Sequence, residues 1–247
     1  MSTGQNSLQK ILKEQNLNLS ENPRGTDKGD YKSYIDKYYS IAFENFKDKP
    51  IRLLEIGFRH GASLALWSFY FENGEITGVD NGTDEALKPE NPVNKEWVTL
   101  PNVKIFNGNA YSESFLDALN GDFDVIIDDG PHTVQSQEFA VKYYSKKLKR
   151  SGILIVEDLQ RGGRTILPLT KAVPRPFRGK FYDFRLNKFV YDNCLFVVTK
   201  PEHDGFLKNN LFFELYRLLN YFLFFFYFTV ENFYITLFRI KKLAAKK

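Results

Sequence analysis

The 247-residue chain has a single cysteine, Cys194, so no disulfide can form within it, and this scarcity fits a reducing compartment. Its opening, MSTGQNSLQKILKEQ, is polar and has no apolar leader core, which sets the expectation of a cytoplasmic protein. No apolar run is long enough to span a bilayer. The candidate Leu218–Val230 covers 13 residues, against the ~20 a spanning helix needs. Internal repeats are absent. A basic excess is absent from the body as well: of the formal net charge of +4, residues 201–247 hold +3, with seven Lys/Arg against four Asp/Glu. The near-neutral remainder carries no electrostatic footprint for nucleic acid, so none is expected as a partner.

What is present describes a globular chain, 43% hydrophobic and 26% charged, long enough for one α/β core and an appendage. Leu8–Glu14 suits a short helix, and Tyr31–Phe46 is aromatic-rich and helix-compatible. From Ile51 short apolar runs alternate with helix-like segments. The runs are IRLLEI (51–56), EITGV (75–79), VKIF (103–106), FDVII (123–127) and GILIV (152–156). Between them lie ASLALWSFYF, SESFLDAL and TVQSQEFAVKYYSKKL. This alternation predicts parallel βαβ units whose strands are covered on both faces. After a Gly/Pro-punctuated loop, FYDFRL (181–186) and NCLFVVTK (193–200) are spaced for an antiparallel pair at one sheet edge.

Ligands of open α/β sheets bind at the carboxyl ends of the strands. The first strand–helix junction reads Glu55-Ile56-Gly57-Phe58-Arg59-His60-Gly61. Gly57 allows a tight turn against a ligand, and Gly61 lets the next helix start close to it. Position 59 is Arg, so the dinucleotide fingerprint G-x-G-x-x-G is missing, and Glu55 suits a cationic or amine-bearing ligand better than a pyrophosphate. The second run ends in Asp80, an acceptor for ribose hydroxyls. The third is followed by Asn109, placed to meet an adenine or its ribose. Each of these residues taken singly is equally a turn or cap residue; together they favour a nucleoside. The fourth and fifth runs end in Asp128-Asp129-Gly130-Pro131-His132 and Glu157-Asp158. On neighbouring strands, about 4.8 Å apart, these carboxylates converge and need a cation or a proton. Oxygen-only ligands suit Mg²⁺. His132 beside them is placed to act as a general base on a hydroxyl whose acidity a metal raises. The alternative is that His132 caps the following helix and the acids are turn residues.

The segments LLEIGFRHGASLALW (53–67), ITGVD (76–80), DVIIDDGPHTVQSQ (124–137) and GILIVEDL (152–159), with GTDKGDYKSYIDKYY (25–39) upstream, resemble the class I S-adenosylmethionine-dependent methyltransferases. Within them the chain is most similar to the metal-dependent sugar O-methyltransferases of the mycinamicin and related macrolide type, over roughly residues 25–200. The resemblance implies a Rossmann-like, doubly wound, mostly parallel seven-stranded sheet with one antiparallel edge strand, N-terminal helices and a C-terminal helical tail. It implies S-adenosylmethionine lined by Glu55, Gly57, Gly61, Asp80, Asn109 and Asp128, with Asp27, Lys28 and Tyr34 closing over it. It further implies Mg²⁺ held by Asp129, Glu157 and Asp158. Lys32 stands where the family usually has His and Pro131 where Ser is common, departures that bear on the acceptor. Asn109 replaces a frequent Asp and bears on cofactor contacts.

The expected organisation is a helical lid segment at 1–50, the methyltransferase core at 51–200, and an aromatic tail at 201–247 with a basic end. The tail reads either as a dimer or core-packing helix or as an interfacial helix on anionic lipid at the inner membrane face. The expected activity is transfer of a methyl group to a hydroxyl of a small-molecule sugar or glycan acceptor. The rivals are a nucleotide-dependent oxidoreductase or epimerase, a methyltransferase of another oxygen such as a phosphoramidate, and a membrane-docked scaffold with a vestigial core.

Overall fold

In a computed structural model of the chain, residues 5–82, 95–160 and 163–200 are described. The chain divides into two compact units, Met1–Pro131 and His132–Lys247. Seven strands form one mixed sheet.

The first unit opens with α1 (Gln5–Glu14), whose Leu8 and Leu12, one helical turn apart, are fully buried. A long loop then leads to a π-helical turn (Ile35–Tyr39), α2 (Ser40–Ala42) and a 3-10 turn (Glu44–Phe46). The helix-compatible stretch therefore becomes helical only from Ile35, in three short pieces. The widened π turn buries Ile35, Tyr38 and Tyr39 together. There follow β1 (Arg52–Ile56), α3 (Ala62–Tyr70), β2 (Glu75–Asp80), α4 (Lys95–Val98), β3 (Val103–Asn107), α5 (Glu113–Ala118) and β4 (Phe123–Asp128). Helix α3 is apolar on nearly every side and is buried accordingly. Its Trp67 ring lies 5.1 Å from Tyr39 and 5.4 Å from Phe43, centroid to centroid, which pins the N-terminal helices to it.

Strand β1 is central in this unit, parallel to β2 on one side and to β4 on the other, and β2 is parallel to β3. The register sets Ile56 beside Val79 and Asp128, and Asp80 beside Asn107. All four strands thus end level, and their polar ends share one edge. Strand β1 is buried except at its start, whereas β3 exposes most of its residues, Ile105 and Phe106 among them.

The second unit holds α6 (Val134–Tyr143), a 3-10 turn (Tyr144–Lys147), β5 (Leu148–Val156), α7 (Gly163–Ala172), β6 (Arg178–Asp183), α8 (Arg185–Lys188) and β7 (Cys194–Thr199). Strand β7 is antiparallel to β5 and to β6, lying between them, so the reversed strand is next to the outermost position. Only residues 184–193 link β6 to β7. A parallel return needs a crossover of a dozen or more residues, so this link permits an antiparallel one. The tail reading at Leu218–Val230 lies outside the described residues, among which no helix is long and apolar enough to cross a membrane.

Candidate active site

The turn after β1 is built around Gly57. It has φ +80°, and a Cβ there would run into the backbone carbonyl of Asp129. Only glycine allows that approach, which lets the Asp129 N–H donate to the Ile56 carbonyl at 2.9 Å and the Gly57 N–H donate to Val79 at 2.8 Å. Gly61, at φ +94°, starts α3. Between them Arg59 is also left-handed, at φ +47°. Asp80 holds this turn from the side. One carboxylate oxygen accepts from the backbone N–H groups of Phe58 and Arg59 at 3.3 and 3.4 Å, and the other accepts from Gly82 at 3.1 Å. Asp80 is half-buried.

Asn109 and Asp128 are joined through a residue that the sequence did not single out. The Asn109 side-chain oxygen accepts from the Tyr111 N–H at 3.0 Å, and the Tyr111 hydroxyl donates to the buried Asp128 carboxylate. Gly130 leaves the space this hydroxyl occupies. The only signal for Tyr111 in the sequence is the Asn two residues before it, a common turn former.

Glu55 and Lys28 are both fully buried. The Lys28 ammonium lies 2.7 Å from Asp129 Oδ2 and 3.6 Å from Glu55 Oε1. Burial raises the Glu55 carboxyl from the usual 4.5 to about 7. Lys28 opposes that rise, Asp129 adds to it, and Ser63 and Trp67 lower it slightly. Tyr34 is buried and Lys32 sits over its ring at 6.0 Å.

In the second unit His132 and Asp158 each have φ +54°, an uncommon backbone state for residues other than glycine. Such strain collects at functional sites. Each brings a possible ligand atom, the two within 4.8 Å of one another. Thr133, not His132, caps α6, its hydroxyl accepting from the Ser136 N–H at 3.1 Å. Glu157 is buried next to Asp158, and its carboxylate does not join the His132–Asp158 group. Buried Gln137 of α6 donates its side-chain amide to the carbonyls of Glu157 and Asp158 at 3.1 and 3.5 Å. It therefore fixes the backbone that carries both acids. In the sequence it is one polar residue of a helix, with no local signal that marks this role.

Asp80, Asn109 and Asp128 offer acceptors suited to a nucleoside's hydroxyls and amino group. In the second unit His132 and Asp158 offer an imidazole nitrogen and a carboxylate oxygen, donor types that suit a divalent ion.

Residues 54–159 match the family described as a methyltransferase domain. The chain is 26% identical over 144 residues to an 8-demethyl-8-(2-methoxy-alpha-L-rhamnosyl)-tetracenomycin-C 3'-O-methyltransferase of Streptomyces olivaceus, covering 54% of this chain and 34% of that protein. It is 25% identical over 144 residues to a mycinamicin VI 2''-O-methyltransferase of Micromonospora griseorubida, covering 54% and 33%. The chain thus spans about a third of the length of these relatives. Among solved structures it is similar to the MycE methyltransferase of the mycinamycin biosynthetic pathway in complex with Mg, SAH and mycinamycin VI. That likeness has a TM-score of 0.48 at 18% identity, over 70% of this chain and 51% of the other. The resemblance to S-adenosylmethionine methyltransferases read from the sequence is borne out by the domain match and by these relatives.

Proposed function

We propose that this chain is an S-adenosylmethionine-dependent O-methyltransferase that works with Mg²⁺ on a hydroxyl of a sugar or glycan-type acceptor. The observation that carries the reading is the level ending of β1, β2, β3 and β4, which gathers Asp80, Asn109 and Asp128 around the Gly57 turn within a methyltransferase-domain match. The sugar acceptor rests on the curated relatives, whose names specify O-methylation of a rhamnosyl-tetracenomycin and of mycinamicin VI.

S-adenosylmethionine, when bound, supplies a methyl group on a positively charged sulfur. Asp80 holds the glycine turn in shape and offers its remaining lone pairs to the ribose. Asn109 and Asp128, tied together by Tyr111, orient the nucleoside. Asp129 and Asp158 would hold a Mg²⁺ ion, which would make a bound hydroxyl more acidic, and Glu157 would add negative charge beside Asp158. His132 would take the proton from the acceptor hydroxyl. The oxygen left behind would bond to the methyl carbon as the carbon–sulfur bond breaks, the electron pair staying on sulfur and S-adenosylhomocysteine leaving.

The test is calorimetry with S-adenosylhomocysteine and NAD side by side, followed by methyl transfer to a panel of glycosides and nucleotide sugars with and without chelator. Binding of S-adenosylhomocysteine, no binding of NAD, and methylation that chelator abolishes are expected. NAD binding in its place would overturn the methyltransferase reading. Full activity in chelator would overturn the Mg²⁺ part alone.

A further inference from the structure

Lys28 reaches the acidic site from a distant part of the chain, and nothing in the reaction described above uses it. Its backbone is held on both sides. Residues Asn18 and Thr26 form a β-bridge that closes the preceding loop, with Thr26 N–H donating to Leu17 at 2.7 Å and Leu19 N–H donating to Thr26 at 3.0 Å. Downstream, Lys32 N–H donates to Asp27 at 2.7 Å and Ile35 N–H donates to the Lys28 carbonyl at 3.1 Å. The side chain is wholly buried, so its ammonium cannot retreat to water. A buried ammonium is tolerable only if paired. Here it faces two acids of unequal access: the Glu55 side chain is sealed at 0%, whereas that of Asp129 is 22% exposed. The shorter contact, 2.7 Å, is to the accessible acid. Any cation that approaches Asp129 from outside therefore meets a carboxylate whose charge is already answered from within.

We propose that Lys28 is a resident counter-cation of Asp129 that competes with an incoming divalent ion and so sets the affinity of the site for it. This rests on the reading of Asp129 as a metal ligand. Lys28 is a positioning residue by this account, acting on the ion through Asp129. An N-terminal loop far from the sheet in sequence thereby tunes the metal site.

Removing the positive charge while keeping the apolar stem, as in Lys28→Met, should tighten Mg²⁺ binding. Loss of a like charge a few ångströms from a ligand carboxylate is expected to change affinity by about tenfold or more. Lys28→Arg keeps the charge and should stay within about twofold of the wild type. The measurement is calorimetric titration of the full chain with MgCl₂, without cofactor or acceptor, with thermal melts to confirm folding. A purely structural role for Lys28 predicts the opposite sign, since a damaged site binds its ion more weakly. If the wild type binds Mg²⁺ and Lys28→Met binds it equally or more weakly, the inference is overturned and the metal reading stands. If neither protein binds Mg²⁺, both fall together. If only Lys28→Met binds it, the competition is shown in its extreme form. Should Lys28→Met fail to fold, Lys28→Gln carries the same expectation of tightening. Tightening of similar size in Lys28→Arg would assign the effect to shape and overturn the role of charge.

Discussion

Glu55→Gln separates the charge of this buried acid from its shape. Glu55 is fully buried, and its carboxyl sits near 7 where 4.5 is usual, chiefly because burial penalises the ionised form while Lys28 draws it back. Since the folded-state value lies above the unfolded one, the folded protein binds more protons than the unfolded chain between pH 4.5 and about 7. Stability contributed by this group is therefore complete below that window and is lost as the pH rises through it. A displacement of this size corresponds to roughly 3 kcal/mol between the ends of the window, an upper figure because the ion pair with Lys28 shares it. Glutamine keeps the volume and cannot titrate. Urea denaturation of wild type and Glu55→Gln in chelated buffer from pH 4.5 to 8 should show the variant gaining on the wild type by roughly 2–3 kcal/mol as the pH rises. A constant offset from losing one partner of Lys28 does not affect this difference in slope. Identical pH dependence in the two proteins would show that Glu55 is ionised throughout, and would refute its assignment as an acid destabilised by burial.

His132→Ala should lower turnover by roughly 10²–10⁴-fold with Mg²⁺ dependence unchanged, while Asp158→Asn should weaken Mg²⁺ affinity and recover part of its rate in excess ion. Titrating initial rates with Mg²⁺ distinguishes them, and metal rescue of His132→Ala or wild-type metal dependence of Asp158→Asn would reverse the assigned roles. Tyr111→Phe removes a hydrogen bond to a buried carboxylate, worth about 1.5–3 kcal/mol. It should lower the denaturation midpoint and weaken S-adenosylhomocysteine binding; unchanged binding would detach Tyr111 and Asp128 from the nucleoside. Asp80→Ala should cost roughly tenfold or more in cofactor affinity, measured by calorimetry on a variant that melts cooperatively. A wild-type dissociation constant would remove its ribose role. Gln137→Leu, which deletes the amide donated to the Glu157 and Asp158 carbonyls, should lower stability by about 1–3 kcal/mol in urea titration. No loss would mean that the Asp158 turn holds itself.

By itself the sequence determined the alternation of strands and helices, because strand runs such as RLLEI and FDVIID are written in local apolar patterns. It determined as well that acids and amides close those strands, since Asp80, Asp128 and Glu157-Asp158 sit where each apolar run stops. Strand β5 begins earlier than its apolar run, at Leu148. Backbone geometry was less legible: the left-handed turns at His132 and Asp158 carry no glycine to announce them. Only the tertiary structure decided which distant groups meet. Lys28 stands 27 residues before Glu55 and 101 before Asp129, and nothing in its neighbours marks it for burial between them. Tyr111 lies 17 residues from Asp128, and its hydroxyl is chosen by the space that Gly130 leaves. Periodicity records which face of an element is apolar, and so reveals elements one at a time. A buried ion pair or a shared hydrogen bond depends on the register of strands and the path of a loop, which are set by packing across the whole unit.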